Sequence, residues 1–299
     1  MDYSVIGKKI KELRKAVGLT QSDLAQDICT QAMISRIEKG DVYPSATALY
    51  QISNKLGVDV NYFFEIGTTP RLDYLQEVER QLTKLRVEQL LNEMMDIVKT
   101  EEKNPFFFKD NERLQLLYWH KSIYYFEVEK DVERAFAILH EAYNLTSHEK
   151  KAVSEREMEI LITFGIWETQ LGNHDKALDY YQQVEKAIHP SEQLHDKSIK
   201  TRLLYNIARV LTRVKDFESS TTYCLKAIHW CIEEELLWGL GECYYQIGFN
   251  CELMNEYEQA VPNMKKAHLM FELRNNKLYT SFIKEKLEAL ENGIQKPVE

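Results

Sequence analysis

The stretch from Thr20 to Gly40, TQSDLAQDICTQAMISRIEKG, constrains this chain more than any other. It reads as two short helices joined by a tight turn. Thr20 is placed to cap the first helix, with Asp23 three residues on as the acidic partner of a capping box. Leu24, Ala25 and Ile28 form an apolar face, and the small Ala25 admits a second helix crossing close above it. Thr30 caps that second helix, Ile34 and Ile37 turn inward, and Gly40 ends it where left-handed backbone is wanted. Gln31, Ala32, Ser35 and Arg36 are left on the outer face. A short polar helix held proud of a small bundle is what the DNA major groove admits. The same bundle also suits a module that binds protein.

The flanking residues complete a domain over 1–66. Ile6, Ile10 and Leu13 recur at helical spacing, and Gly18 ends that first helix. After the loop Asp41-Val42-Tyr43-Pro44, Ser45 caps a fourth helix whose core face is Leu49, Ile52 and Leu56, and Gly57 stops it. Val60, Tyr62, Phe63 and Phe64 form a short fifth helix. The whole chain carries a net charge of −9, the wrong sign for a coating DNA binder. Residues 1–66, however, hold eight basic and eight acidic side chains. Five of the basic ones fall between Lys8 and Lys15 and give a neutral domain a positive end for phosphates. The acidic remainder repels DNA, which favours specific binding by a presented helix.

The order Thr-Gln-x-x-Leu-Ala, Ile-Ser-Arg-Ile-Glu-Lys-Gly and Pro44 resembles the helix-turn-helix of the phage-repressor (Xre/Cro) type. The resemblance makes Gln21 a phosphate contact, with help from the backbone N–H groups at that helix start. Gln31 and Arg36 are the base readers by chemistry, since glutamine pairs with adenine and arginine with guanine. Ser35 is in reach of a base or phosphate, Ala32 of a thymine methyl, and Thr30 stands at the helix start. For Arg36 a salt bridge to Glu38 or Asp41 is the competing role. Regulators of this type act as two-fold dimers on palindromic operators, and one domain of this size makes too few contacts to be specific alone.

Gly67-Thr68-Thr69-Pro70 marks a boundary, followed by a linker and linker helix over 67–84 with Leu72, Leu75, Val78 and Leu82 on one face. The rest, 85–299, repeats itself. A small residue opens the second helix of each unit at Ala135, Ala177, Ser220 and Ala260, at offsets of 42, 43 and 40 residues. A fainter copy covers about 71–100, where Leu90 replaces the small residue. A closing helix spans about 277–291. With six prolines and eleven glycines in 299 residues, the expectation is an all-α chain. It comprises a five-helix helix-turn-helix domain, then a right-handed superhelix of about five degenerate tetratricopeptide-like repeats and a C-terminal capping helix.

Arg202, Asn206, Arg209 and Arg213, spaced 4, 3 and 4, share one face of a first helix in its repeat, taken as the concave face. Amides pair with both the N–H and C=O of an extended peptide, and arginine takes a carboxylate at two points. A solvated charged face is the alternative. The five cysteines, Cys29, Cys224, Cys231, Cys243 and Cys251, are odd in number and form no CxxC pair. They point to a reducing cytoplasm without disulfides, and to buried core thiols more than to a redox sensor. The histidines form no metal-binding spacing, and no phosphate loop or nucleophile elbow is present, so neither an enzyme nor a cofactor is expected. No apolar run is long enough for a membrane span, and the N-terminus lacks a signal-peptide core.

The combination resembles the Rap/NprR/PlcR/PrgX (RNPP) family of peptide-sensing regulators, most of all its PlcR-type members. The similarity is strongest in Ile34-Ser35-Arg36-Ile37-Glu38, Tyr205-Asn206, Tyr244-Tyr245-Gln246 and Tyr279. It implies a DNA-binding homodimer gated by a short, re-imported quorum-sensing peptide in the concave groove. Asn206 would clamp the peptide backbone, Gln246 and Tyr279 would line the site, and Lys84 and Arg86 near the first repeat would help hold the peptide. Relatives with the same repeats inhibit phosphorelay proteins, a second role the repeats allow.

Overall fold

The computed structural model describes residues 3–68, 72–147, 152–188 and 194–294. Among these residues there are seventeen helices and no strand, as the all-α expectation requires. The chain divides into two compact units, residues 1–97 and 98–299.

The first unit begins with α1 (Tyr3–Ala16), α2 (Gln21–Ala25), α3 (Gln31–Lys39), α4 (Ala46–Leu56) and α5 (Val60–Thr68). Local signals set their ends. Thr20 and Asp23 form the reciprocal capping box of α2, Thr30 accepts from the Met33 N–H at the start of α3, and Ser45 caps α4 through Ala48 N–H. Gly40 (φ +80°) and Gly57 (φ +70°) close α3 and α4 in left-handed backbone. The side chains of Ile6, Ile10, Leu24, Ile34, Leu49, Ile52 and Phe63 are fully enclosed and make one core. A Cβ on Gly7 would lie 2.1 Å from the Ile37 carbonyl oxygen, so α1 and α3 meet with no room for a side chain there.

Two local expectations are corrected. The first helix of the motif ends at Ala25, because Asp27 takes a left-handed conformation (φ +63°) that breaks it. Ile28 therefore reaches the core from the turn and not from the helix. The fifth helix continues through Gly67 to Thr68; Thr69, Pro70 and Arg71 lie outside the described residues. Next comes α6 (Leu72–Val87), with Leu75, Val78 and Leu82 buried. It is followed by α7 (Leu91–Glu101), within which the division between the units falls.

The second unit continues with α8 (Pro105–Phe108), α9 (Asn111–Glu127), α10 (Val132–Ser147), α11 (Glu155–Gln170), α12 (His174–Ala187), α13 (Ser198–Arg213), α14 (Phe217–Glu233), α15 (Leu240–Leu253), α16 (Tyr257–Leu273) and α17 (Lys277–Ile294). Helices pack as consecutive pairs, α9 with α10, α11 with α12, α13 with α14 and α15 with α16, and α17 covers α16. Ala135, Ala177, Ser220 and Ala260, each the fourth residue of its pair's second helix, are completely buried at the crossings. In α11, Gly165 completes the crossing, since a Cβ there would meet the Tyr181 ring at 2.3 Å.

The fainter copy needs correction in one respect. Leu90 lies in the turn and is exposed, whereas Met94, fourth in α7, fills the buried place. A second mark recurs in every joint. Gln89, Lys130, Gly172, Lys215 and Asn255 all have φ between +56° and +85° and stand two residues before the second helix of their pair.

Candidate functional site

The outer face of α3 carries Gln31, Ala32 and Arg36 exposed and Ser35 half-buried, with Thr30 exposed at its cap. Arg36 has no ion-pair partner among the described residues. The carboxylate nearest it in sequence, Glu38, is buried and taken by Arg14 (Nε–Oε1 2.5 Å, Nη2–Oε2 3.0 Å). Arg14 also donates to the Leu19 carbonyl at 2.7 Å. The remaining contact to Glu38 is Gln21, whose Nε2 donates to Oε2 at 2.8 Å, and Gln31 Nε2 donates in turn to Gln21 Oε1 at 2.7 Å. A line of hydrogen bonds thus runs from α1 through Glu38 to the first residues of α2 and α3. Gln21 and Gln31 are held side by side, each keeping hydrogen-bonding capacity for another partner. Arg36 offers a guanidinium fork from the exposed surface of the same helix α3.

The second unit contains a groove of about 520 Å³ between α13, α15, α16 and α17. Arg209 and Arg213 enter it from α13, Gln246 from α15 and Tyr279 from α17. Glu242 lines it too, but its charge is met by Arg274 (2.7 and 3.0 Å). Most of the remaining wall is aromatic: Tyr205, Tyr245, Phe249, Phe271 and Phe282. The Phe271 and Tyr279 rings stack at 5.0 Å, and Tyr245 lies parallel to Phe249 at 6.0 Å. Burial pushes the Tyr205 and Tyr245 phenols above their ordinary range, so both are neutral donors at physiological pH. Such a wall accepts apolar side chains, while the arginines and the amide supply polar contacts.

The predicted stripe on α13 is divided by its surroundings. Arg202 is anchored outside the groove by Glu159 and Asp196, at 2.9 Å each. Asn206 is buried beside the groove; its Nδ2 donates to the Arg202 carbonyl at 2.8 Å, and Arg209 Nη1 lies 3.4 Å from its Oδ1. Arg213 is exposed but donates to the Thr169 carbonyl at 2.8 Å. Lys84 and Arg86 belong to α6 in the first unit, and neither lines this groove. Thr212 and the aromatic wall were not among the expected site residues. The signal available for the latter was the aromatic spacing around Gln246, with Tyr245 and Phe249 four apart on one helix.

Four of the cysteines, Cys224, Cys231, Cys243 and Cys251, are buried free thiols. Burial raises the Cys231 and Cys251 thiols, and a hydrogen bond with Cys224, together with burial, raises Cys243 strongly. Protonated, enclosed sulfur is poorly reactive. No group of metal-ligating side chains occurs among the described residues, and no described helix is long and apolar enough to cross a membrane.

Comparison with known proteins bears on both regions. The RNPP family C-terminal domain matches residues 79–290, and a helix-turn-helix family matches residues 10–63. The structure is similar to that of PlcR from Bacillus thuringiensis in complex with the peptide PapR7 and DNA. The TM-score is 0.81 at 26% identity, covering 94% of this chain and 99% of that one. It also resembles PlcR in its apo form (TM-score 0.66, 23% identity, 94% and 98% covered). ComR from S. thermophilus, in complex with DNA and its signalling peptide ComS, matches at a TM-score of 0.63 and 19% identity, with 96% and 99% covered. A search of curated proteins returned no match.

Proposed function

The chain belongs to the RNPP family, and from that premise we propose that it is a sequence-specific, DNA-binding transcription regulator gated by a short signalling peptide held in the groove between α13, α15, α16 and α17. The observation that carries this is the pairing of two features in one chain. One is a recognition helix whose Arg36 is unpaired among the described residues. The other is a groove that offers arginines, an amide and aromatic rings together. PlcR, crystallised with both a peptide and DNA, supports the same pairing of ligands here.

In this reading residues 1–66 bind DNA, 67–84 link, and 85–299 bind peptide and dimerise. Gln21 and Thr30 approach the phosphates, while Gln31, Ala32, Ser35 and Arg36 face the bases. In the groove Gln246 and Tyr279 contact the peptide, and Arg209 and Arg213 take a carboxylate from it. Asn206 clamps the peptide backbone after releasing its contact to Arg209. Arg202 acts by holding α13 to α11, and Lys84 and Arg86 add positive charge near the first repeat. The protein works in the cytoplasm as a homodimer on a palindromic operator. Peptide and DNA strengthen each other's binding by the same factor, typically 5–150-fold for a coupling of about 1–3 kcal/mol.

Selection from a random double-stranded DNA library, with and without a short-peptide fraction of the source culture, tests the reading. A palindromic site enriched only with peptide is expected. Equal enrichment in both arms would remove the peptide gate, and no enrichment would remove the DNA-binding role.

A further inference from the structure

Behind the groove lies a connected set of mostly buried polar groups whose protons can be followed. It joins Ala208 and Thr212 of α13, Ser220 and Thr221 of α14, and Gln246 and Asn250 of α15. Thr212, Ser220, Gln246 and Asn250 are all at most 7% exposed. Only Thr212 and Gln246 reach the groove surface.

The count starts at the Ala208 carbonyl, which can only accept. Ser220 Oγ lies 2.8 Å from it, its shortest contact, and we assign the Ser220 proton there over Thr212 Oγ1 at 2.9 Å. Ser220 Oγ must then accept from Asn250, whose Nδ2 is 2.9 Å away and also reaches Thr221 Oγ1 at 3.2 Å. That turns Asn250 Oδ1 toward Thr212, 2.6 Å from Oγ1. The single Thr212 proton faces three oxygens, and Asn250 Oδ1 is nearer than Ser220 Oγ (2.9 Å) or Ala208 O (3.2 Å). With its proton spent on Asn250, Thr212 can only accept from Gln246, at 2.7 Å. The second proton of Gln246 Nε2 lies 3.4 Å from Asn250 Oδ1. Both halves of the amide NH2 therefore face inward, and the carbonyl Oε1 is the end left for an occupant of the groove.

We propose that Thr212 and Asn250 are positioning residues that fix the polarity of the Gln246 amide. The groove then offers a hydrogen-bond acceptor at this point and selects a ligand that presents a main-chain N–H to it. The proposal rests on the reading of the groove as a peptide site. A free glutamine turns either end of its amide to a peptide, so it reads the backbone without direction. A locked one sets the register and chain direction of whatever lies against it, because only alternate positions of an extended strand aim an N–H the same way. The specificity comes from side chains behind the Gln246 amide, with Asn250 wholly enclosed and Thr212 only touching the groove surface, and each hydrogen bond in the series orients the next.

The first measurement needs no ligand. In full-length protein labelled with nitrogen-15 glutamine, the Gln246 side-chain signal is assigned by its loss in Gln246→Leu. Its proton exchange with water is compared with that of the exposed Gln259. Exchange at least about tenfold slower at Gln246 is expected in the wild type, with protection lost in Thr212→Val and restored in Thr212→Ser. Equal exchange at Gln246 and Gln259 in the wild type overturns the proposal. The second measurement takes the tightest peptide from a random hexapeptide display library and methylates each of its backbone nitrogens in turn. One methyl group is expected to weaken binding to the wild type about tenfold (about 1.4 kcal/mol). In Thr212→Val that selective penalty falls below about threefold. The same penalty in both proteins overturns the assigned polarity. A library that yields no binder overturns the peptide reading of the groove, and the exchange measurement still decides which way the amide points.

Discussion

Arg14 and Glu38 meet in a buried two-point ion pair, Nε to Oε1 at 2.5 Å and Nη2 to Oε2 at 3.0 Å, that joins α1 to α3. The same carboxylate holds Gln21, which holds Gln31. The ion pair thus stands at the root of the presented surface, and it ties the stability of the first unit to the placement of its amides.

Burial opposes ionisation of Glu38, but the hydrogen bonds from Arg14 and Gln21 outweigh it and hold the carboxyl below its usual range. A group with a lowered folded pKa stabilises the fold above its unfolded value, 4.5 here, and the contribution is lost as pH falls through the folded value. Acidification below about pH 4.5 is therefore expected to weaken the first unit, and Glu38→Gln to flatten that dependence. At neutral pH Glu38→Gln leaves Arg14 buried without a counter-charge, at about 3 kcal/mol. Urea unfolding of both proteins between about pH 3 and 7 checks both statements.

Arg36→Ala is expected to leave the melting temperature unchanged, since no described group pairs with Arg36, and to lower specific DNA affinity about 10- to 100-fold. That matches the roughly 1–3 kcal/mol of one good bidentate base contact. A gel-shift titration on the selected operator measures it, and unchanged affinity would remove Arg36 from the interface.

Asn206→Ala is expected to fold and dimerise normally, because its Nδ2 contact is to the Arg202 carbonyl of its own helix. Peptide affinity should fall about tenfold with the loss of a directed hydrogen bond. Peptide-dependent DNA binding, followed by fluorescence anisotropy, reports the loss; a full response would make Asn206 part of the packing only.

Gly7→Ala introduces a methyl group 2.1 Å from the Ile37 carbonyl oxygen, a backbone atom that cannot rotate away. A loss of about 1–3 kcal/mol is expected from forced separation of α1 and α3. It is read as a lower urea midpoint with the slope unchanged.

A thiol reagent at neutral pH is expected to modify Cys29, which is half-buried, ahead of the four enclosed cysteines, which should react only on unfolding. Fast reaction of Cys243 in the native protein would restore a redox role.

What the sequence revealed divides along the range of the interactions. Thr20, Thr30, Ser45, Gly40 and Gly57 mark helix ends by contacts within a few residues, and each sits where its chemistry requires. The crossing residues Ala135, Ala177, Ser220 and Ala260 were legible because a buried crossing tolerates little else. The end of α2 was not, because an aspartate at Asp27 adopts the left-handed conformation usually given to glycine or asparagine. Nor could the α13 stripe be resolved into its parts. Whether Arg202 faces a ligand or Glu159, 43 residues away, is settled only by packing between pairs. The proton order through Thr212, Ser220, Asn250 and Gln246 likewise depends on three helices at once.

The left-handed residue in each joint reaches further than the turn it makes. Glycine takes this step once, at Gly172, and asparagine once, at Asn255, while glutamine and lysine take it at the other three joints, against their own preference. The step is therefore imposed by how each pair of helices must cross, and the residue merely tolerates it. Within the second unit, joints that share one handedness and one distance from the following helix behave as equivalent couplings in a jointed rod. Cutting the rod at two couplings and rejoining it brings together ends of matching geometry, so its length can change by whole pairs while every remaining bend is kept.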